Sequence, residues 1–177
     1  MISKKYKKSL IINIGNAYLR PINMHDISQL YIDGLNDPEV HHFLVAAKNK
    51  KQDYKSISTY VKKNLDSKDA ILFGFFLDNI LRGTVRLHDI IDKKSFIGIV
   101  IFDKSIWGKK WGRKILLAVN NFAYRELDIK KIKAGVEFDN HKSARLFSSA
   151  GYFIDKSYLG KDKFIYIKSF DNGISKL

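Results

Sequence analysis

The chain has 177 residues, of which 32 are lysine or arginine and 18 aspartate or glutamate, for a net charge of +14. That length suits one domain whose core needs no covalent staple. The lack of cysteine excludes disulfides, thiolate metal sites and a cysteine nucleophile, and it fits a reducing cytoplasm, the compartment expected here.

No apolar run approaches the roughly 20 residues of a membrane span. The lysine-rich opening, Met1 to Leu10, is followed by no long apolar stretch, so neither a signal peptide nor a membrane partner is expected. The five histidines, His25, His41, His42, His88 and His141, share no close ligand spacing, and no metal is expected. The positive field favours an anionic partner such as nucleic acid, a phosphorylated substrate or a nucleotide-containing cofactor.

Residues 1–14 read as a mobile basic tail or a short lead-in strand. One domain is expected over 15–171 and a tail over 172–177. Ala17 to Ile22 reads as a strand. Asn23 or a neighbour can cap a helix to about Leu35, with Ile27, Leu30, Tyr31 and Gly34-Leu35 on one side, stopped by Asn36-Asp37-Pro38. A short helical turn through Phe43 follows, and Asp53 caps a second helix to about Leu65. Ala70–Leu77 and Ile80–Ile90 read as a hairpin about Asp78-Asn79. Ser95–Phe102 is uniformly apolar, which predicts a buried strand.

A helix is predicted from about Lys110 to Leu127, with Ile115, Leu116, Val119, Phe122 and Ala123 as its apolar stripe. Lys131–Phe138 alternates as a strand. Asn140–Ala150 reads as a short helix that Gly151 ends in a left-handed conformation. Tyr152–Lys156 and Phe164–Phe170 are the last strands. The fold class is mixed α/β, with a mostly antiparallel sheet of six to seven strands flanked by about four helices.

The segment from Asp103 to Ile115 links a buried strand to a helix. It holds Gly108 and Gly112 among Lys104, Lys109, Lys110, Arg113 and Lys114. A glycine-containing turn entering a helix offers free backbone N–H groups at the positive end of the helix dipole, which suits a diphosphate. Arg113 and Lys114 are disfavoured in a first helical turn, by about 0.3–1 kcal/mol each, and a bound anion reverses that sign.

Strand, Trp107-Gly108-Lys109-Lys110-Trp111-Gly112, helix, strand, then Asn140-His141-Lys142-Ser143-Ala144-Arg145-Leu146-Phe147 through Tyr152 resembles the GCN5-related N-acetyltransferase (GNAT) superfamily. The closer likeness is to the bacterial branch of ribosomal-protein and nucleotide-amino-sugar N-acetyltransferases. It covers about Tyr18 to Tyr166 and includes Leu19-Arg20-Pro21 and Leu35 to Val40.

The resemblance implies acetyl-CoA as cosubstrate. The backbone of Ile99, Val100, Ile101 and Phe102 would meet the pantetheine amides. The turn Trp107, Gly108, Lys109, Lys110, Trp111, Gly112 and Arg113 would hold the pyrophosphate. Asn140 would bond the pantetheine arm, with Ser143 and Phe147 on the flanking helix. The third strand and the Lys131–Phe138 strand would splay around the thioester.

The family usually has glycine where this chain has Lys110, and often glutamine or arginine at Trp107. Many members carry a tyrosine acid where Phe147 stands, and a carboxylate near Phe96. Phenylalanine donates no proton. Candidate bases here are His88 and Glu137, and candidate replacement acids are Tyr124 and Tyr152.

The implied activity is acetyl transfer to a primary amine, leaning to a small molecule such as a nucleotide-linked amino sugar. Acetylation of a protein N-terminus, of the ribosomal type, is the alternative in the same chemistry. A GNAT-fold protein that binds CoA or RNA without turnover is the alternative of another class. Nucleic acid as the main partner is disfavoured for want of a recognition helix or a paired aromatic strand signature. A homodimer is compatible with the sequence.

Overall fold

The computed structural model describes residues 2–44, 50–158 and 160–170, so the tail expected at 172–177 lies outside the described residues. In chain order the elements are helix α1 (Lys4–Ser9), strands β1 (Ile12–Ile14) and β2 (Ala17–Pro21), a 3-10 turn (Met24–Asp26), and helices α2 (Gln29–Asn36), α3 (Pro38–His41) and α4 (Tyr54–Asp66). Strands β3 (Ile71–Leu77), β4 (Ile80–Ile91) and β5 (Lys94–Ile101) follow, then a second 3-10 turn (Lys104–Ile106) and helix α5 (Trp111–Leu127). Strand β6 (Lys131–Glu137), helix α6 (His141–Ser149), and strands β7 (Phe153–Ile154) and β8 (Lys163–Ser169) complete the chain. The eight strands form one sheet in the order β1-β2-β3-β4-β5-β6-β8-β7.

Local chemistry accounts for most boundaries. Asp78 and Asn79 both adopt positive φ, as a two-residue turn matching strand twist requires, and they close the β3–β4 hairpin. Asp53 accepts the Ser56 N–H at 2.7 Å and Ser56 reaches back, a reciprocal cap that starts α4. The single helix expected from Asn23 is in fact two pieces. Asn23 caps only the 3-10 turn, where Arg20 pins Asp26 at 2.7 Å. Ser28 then acts as a second cap and restarts the chain as α2.

Strand alternation divides the core. Phe73, Phe75, Val85, Leu87 and Ile97 face α5, meeting Ile115, Leu116, Val119 and Phe122. Leu72, Phe76 and Leu81 face the other way, onto Tyr31 of α2 and Ile57 and Val61 of α4. All of β3 is buried, and each fully buried large apolar side chain contributes about 1.5–3 kcal/mol.

The opening segment takes the form of a lead-in strand, preceded by a helix that its sequence did not announce. β1 adds an eighth strand by pairing with β2. In α1, Lys7 is 3% exposed, and its ammonium donates to the Asn64 and Ser67 carbonyl oxygens, both at 2.7 Å. It thereby caps the C-terminal end of α4 from another element.

The feature that makes a site is a fork in the sheet. Strands β5 and β6 pair in parallel only at Lys94–Lys131, Ser95–Ile132 and Phe96–Lys133. Beyond Phe96, β5 stays with β4 and β6 stays with β8. The expectation of a wholly buried third strand is thus corrected. Gly98 is exposed and Ile99 to Ile101 are half-buried, because their edge borders the gap.

Candidate active site

The gap opens into a cleft of about 1820 Å³. Residues of β5 and β6 form its walls. The starts of α5 and α6 close its wide end, and residues of α2, α3 and α4 line one side.

The turn from β5 to α5 is held by specific bonds. Asp103 takes the Arg82 guanidinium and also accepts the Ser105 N–H at 2.9 Å, capping the second 3-10 turn. The Trp107 indole N–H donates to the Ile101 carbonyl at 2.9 Å, closing the turn against β5. The chain then passes through Gly108 and Lys110, both left-handed, at φ 75° and 63°. Lys110 is the N-cap of α5 and supplies no side-chain bond to it. The Lys114 N–H donates to the Lys110 carbonyl, so the amides of Trp111, Gly112 and Arg113 have no partner within the helix. They stand at its positive end.

Close packing fixes this mouth. A Cβ on Gly112 would lie 3.1 Å from both Leu146 methyl groups, so α5 and α6 approach closely here and a larger residue would require Leu146 to shift. The α6 helix opens at Asn140, whose side chain accepts the Ser143 N–H at 3.0 Å. Arg113 is braced by donating from Nε to the Ser149 carbonyl at 2.9 Å. A half-open strand edge leading to a cluster of free amides, with Lys110 and Arg113 beside it, fits an amide-bearing arm that ends in a diphosphate.

Most residues expected from the sequence meet here. His88, Glu137, Ile99, Val100, Ile101, Trp107, Gly108, Lys110, Trp111, Gly112, Arg113, Asn140, Ser143 and Phe147 all line the cleft. Three do not. Phe102 lies just past the end of β5 and stacks on Tyr31 in the second core, centroids 4.7 Å apart. Lys109 points to solvent. Tyr124 sits near the far end of α5, stacked on Phe170 with the Lys130 ammonium over its ring. Tyr152 is buried and donates to Asn120 Oδ1 at 2.6 Å. Burial pushes its pKa well up, and it does not line the cleft.

His88 faces the cleft where the fork begins, across from Phe96, on whose ring it stacks at 5.7 Å. Its Nδ1 lies 3.0 Å from Asp89 Oδ2. With Nδ1 protonated toward Asp89, Nε2 carries a lone pair. The imidazole pKa is pulled below its ordinary value, first by burial and then by the Arg86 charge, against the opposing pull of Asp89. Asp89 has φ 52° at a break in the β4–β5 register, and such bulges re-aim side chains beside active sites.

Sequence reasoning missed the rest of this wall. Tyr31, Tyr60, Thr84, Arg86, Asp89 and Gly98 also line the cleft. Thr84, Arg86 and His88 alternate along β4, and that period-two polar row was the signal available.

Among the described residues no group of three His, Asp or Glu could hold a metal ion, and no helix is long and apolar enough to cross a membrane. Residues 16–152 match the family model described as Acetyltransferase (GNAT) domain. The chain is 29% identical over 146 residues to Bacillus subtilis "Probable N-acetyltransferase YjcK", covering 76% of this chain and 79% of that one. Among solved structures, a GNAT-family acetyltransferase from Bacillus anthracis superposes with a TM-score of 0.75 at 18% identity, covering 90% of this chain and 98% of that one. The spermidine N-acetyltransferase of Vibrio cholerae, in complex with CoA and spermine, gives 0.73 at 16% identity, covering 87% and 95%. The chain therefore belongs to the GNAT acetyltransferase family, and it is an N-acetyltransferase that takes its acetyl group from acetyl-CoA.

Proposed function

We propose that this enzyme acetylates the primary amine of a small molecule, a nucleotide-linked amino sugar being the acceptor we favour, with His88 as general base. The observation that carries the reading is the fork: a strand edge open from Ile97 to Ile101 that runs from His88 and Phe96 at one end to the free amides of α5 at the other.

In this reading the β5 edge takes the pantetheine amides. The amides of Trp111, Gly112 and Arg113, with the Gly108 turn, take the pyrophosphate, and the Lys110 cation adds to them. Asn140 and Ser143 border the arm, and Phe147 packs beside it. The thioester then lies near the fork. Nε2 of His88 removes a proton from the acceptor ammonium, and the neutral amine attacks the thioester carbonyl. The C–N bond forms, the C–S bond breaks, and CoA leaves as a thiolate that takes up the second proton released from the acceptor nitrogen. Backbone N–H groups of β5 stabilise the oxyanion, and fixed proximity supplies much of the acceleration. Asp89 positions the imidazole. Glu137, on the opposite wall, is the second candidate base.

Support for a small acceptor comes from α3, which is tied to both sides of the mouth. Lys104, in the turn after β5, pairs with Asp37 at 2.7 Å, and Glu39 reaches Lys142 at 3.4 Å. His42 lies 3.5 Å from Asp139.

Thiol release from acetyl-CoA over a panel of amines, amino sugars, nucleotide-linked amino sugars and peptides tests the reading. Turnover is expected on a small amine and should fall about 100-fold in His88→Gln, within the usual range for a lost general base. Release with peptides alone would overturn the small-molecule assignment. Undiminished turnover in His88→Gln would remove the base.

A further inference from the structure

The cleft wall carries a cation that the acetyl-transfer chemistry does not use. Arg86 projects from β4 between α4 and the cleft. Its Nε donates to Asn64 Oδ1 at 2.7 Å and its guanidinium lies 5.8 Å from the Tyr60 ring centroid. Asn64 is itself held, its amide donating to the Tyr60 carbonyl at 2.8 Å. The guanidinium is thus fixed in orientation.

Among the described residues no carboxylate pairs with it. The nearby acids have other partners: Asp69, whose charge acts on Arg86 without an ion pair, accepts the Ser67 hydroxyl, Asp89 holds His88, Asp53 caps α4, and Glu39 faces Lys104 and Lys142. Directly across the antiparallel register from Arg86 stands Gly98. Cross-strand partners share a face, and a Cβ at Gly98 would meet nothing within 4 Å. The space beside Arg86 is therefore open to the cleft. A fixed, half-buried guanidinium with room before it and no ion-paired carboxylate among the described residues suits a carboxylate or phosphate, which its fork of donors can grip with two bonds.

We infer that Arg86, aimed by Asn64 and given room by Gly98, receives an anionic oxygen group carried by the acceptor close to its reacting amine. This rests on the acetyltransferase reading above and narrows its substrate class. Arg86 and His88 are two residues apart on one face of β4, about 7 Å between Cα atoms. Amine and anion are therefore only a few bonds apart, as in an amino acid or an amino-sugar phosphate.

The test uses the full chain saturated with CoA, so that the diphosphate mouth is filled. Inorganic phosphate and acetate are titrated at constant ionic strength while Tm is followed. At ten times the half-saturating concentration a rise of about 3–6 °C is expected for the unsubstituted protein. The rise should fall below 1 °C in Arg86→Gln. Gly98→Val keeps every contact of Arg86 with α4 and fills the space beside it, so it should also abolish the rise, even if Arg86→Gln folds poorly.

No rise in the unsubstituted protein, or an equal rise in both variants, overturns the site. Matched acceptors then separate the two anions: glucosamine 1-phosphate against glucosamine, and an amino acid against its amide. The charged member of one pair should be favoured at least tenfold in kcat/KM, through KM, and lose that advantage in Arg86→Gln. Preference for the neutral members counts against the site. The acetyltransferase reading fails separately, by absence of any Tm response to acetyl-CoA and of any thiol release.

Discussion

Lys110 holds the sharpest test of the diphosphate mouth, because its backbone and its side chain pull in opposite directions. It adopts φ 63° and ψ 13°, a left-handed conformation that costs a side-chain-bearing residue about 1–2 kcal/mol. Glycine removes that cost but widens the unfolded ensemble by about 0.5–1 kcal/mol. Lys110→Gly should therefore stabilise the protein without ligand by about 0.5–1 kcal/mol, a rise in Tm of roughly 1–4 °C for a chain of this size. Lys110→Ala keeps the left-handed torsion and should stay near the unsubstituted Tm. Both variants lose the cation beside the free amides, so acetyl-CoA binding should weaken roughly two- to fivefold in each. Calorimetry read beside a cofactor titration separates the terms. If Lys110→Gly is no more stable than Lys110→Ala, the strain argument is wrong. If neither variant loses affinity, the lysine does not meet the cofactor.

Three further outcomes follow from described contacts. Lys7→Met keeps the aliphatic stem and removes the ammonium, leaving the Asn64 and Ser67 carbonyls short of a donor; urea unfolding should show a loss of about 1–3 kcal/mol, and an unchanged midpoint would contradict the cap. Because the folded pKa of His88 is lowered, its neutral form persists below the usual value of about 6.5. The acid limb of kcat/KM should accordingly lie below that pH and vanish in His88→Gln, while His88's share of stability is present above pH ~6.5 and lost as pH falls through the folded value. Tyr152→Phe deprives Asn120, whose Nδ2 already lacks a partner, of its one bond, so it should cost about 1–3 kcal/mol of stability and leave turnover intact. A large loss of turnover at full stability would instead make Tyr152 a proton donor.

The parts of the fold that local chemistry decides were legible in the sequence. Asp78-Asn79, Asp53 and Gly151 mark a turn, a cap and a helix end through their own backbone preferences, and Gly151 takes φ 83°. The helix expected from about Asn23 is present but starts later, because two capping residues, Asn23 and Ser28, lie five positions apart and both are used. The opening lysines hid α1 because the side chain that anchors it is a buried lysine whose partners lie 57 and 60 residues away. The segment of the proposed diphosphate mouth could be picked out because its glycines and cations are contiguous. The acceptor wall could not, since Arg86, Asn64 and Gly98 come from three elements that only folding brings together. Phe102 misled for a related reason: it extends the apolar run of β5 but falls after the strand has ended.

The fork has a bearing on handling the protein without ligand. A sheet normally shields its main chain through continuous ladders, and exposed rims invite pairing with another polypeptide. Here two such rims lie inside the molecule, facing each other across a gap that three residue pairs hold at its base. In the binding mode proposed above, an arm of amides is the missing rung. The resting enzyme, lacking it, is the form in which a stray strand can insert, and purification in the presence of CoA guards against that fate.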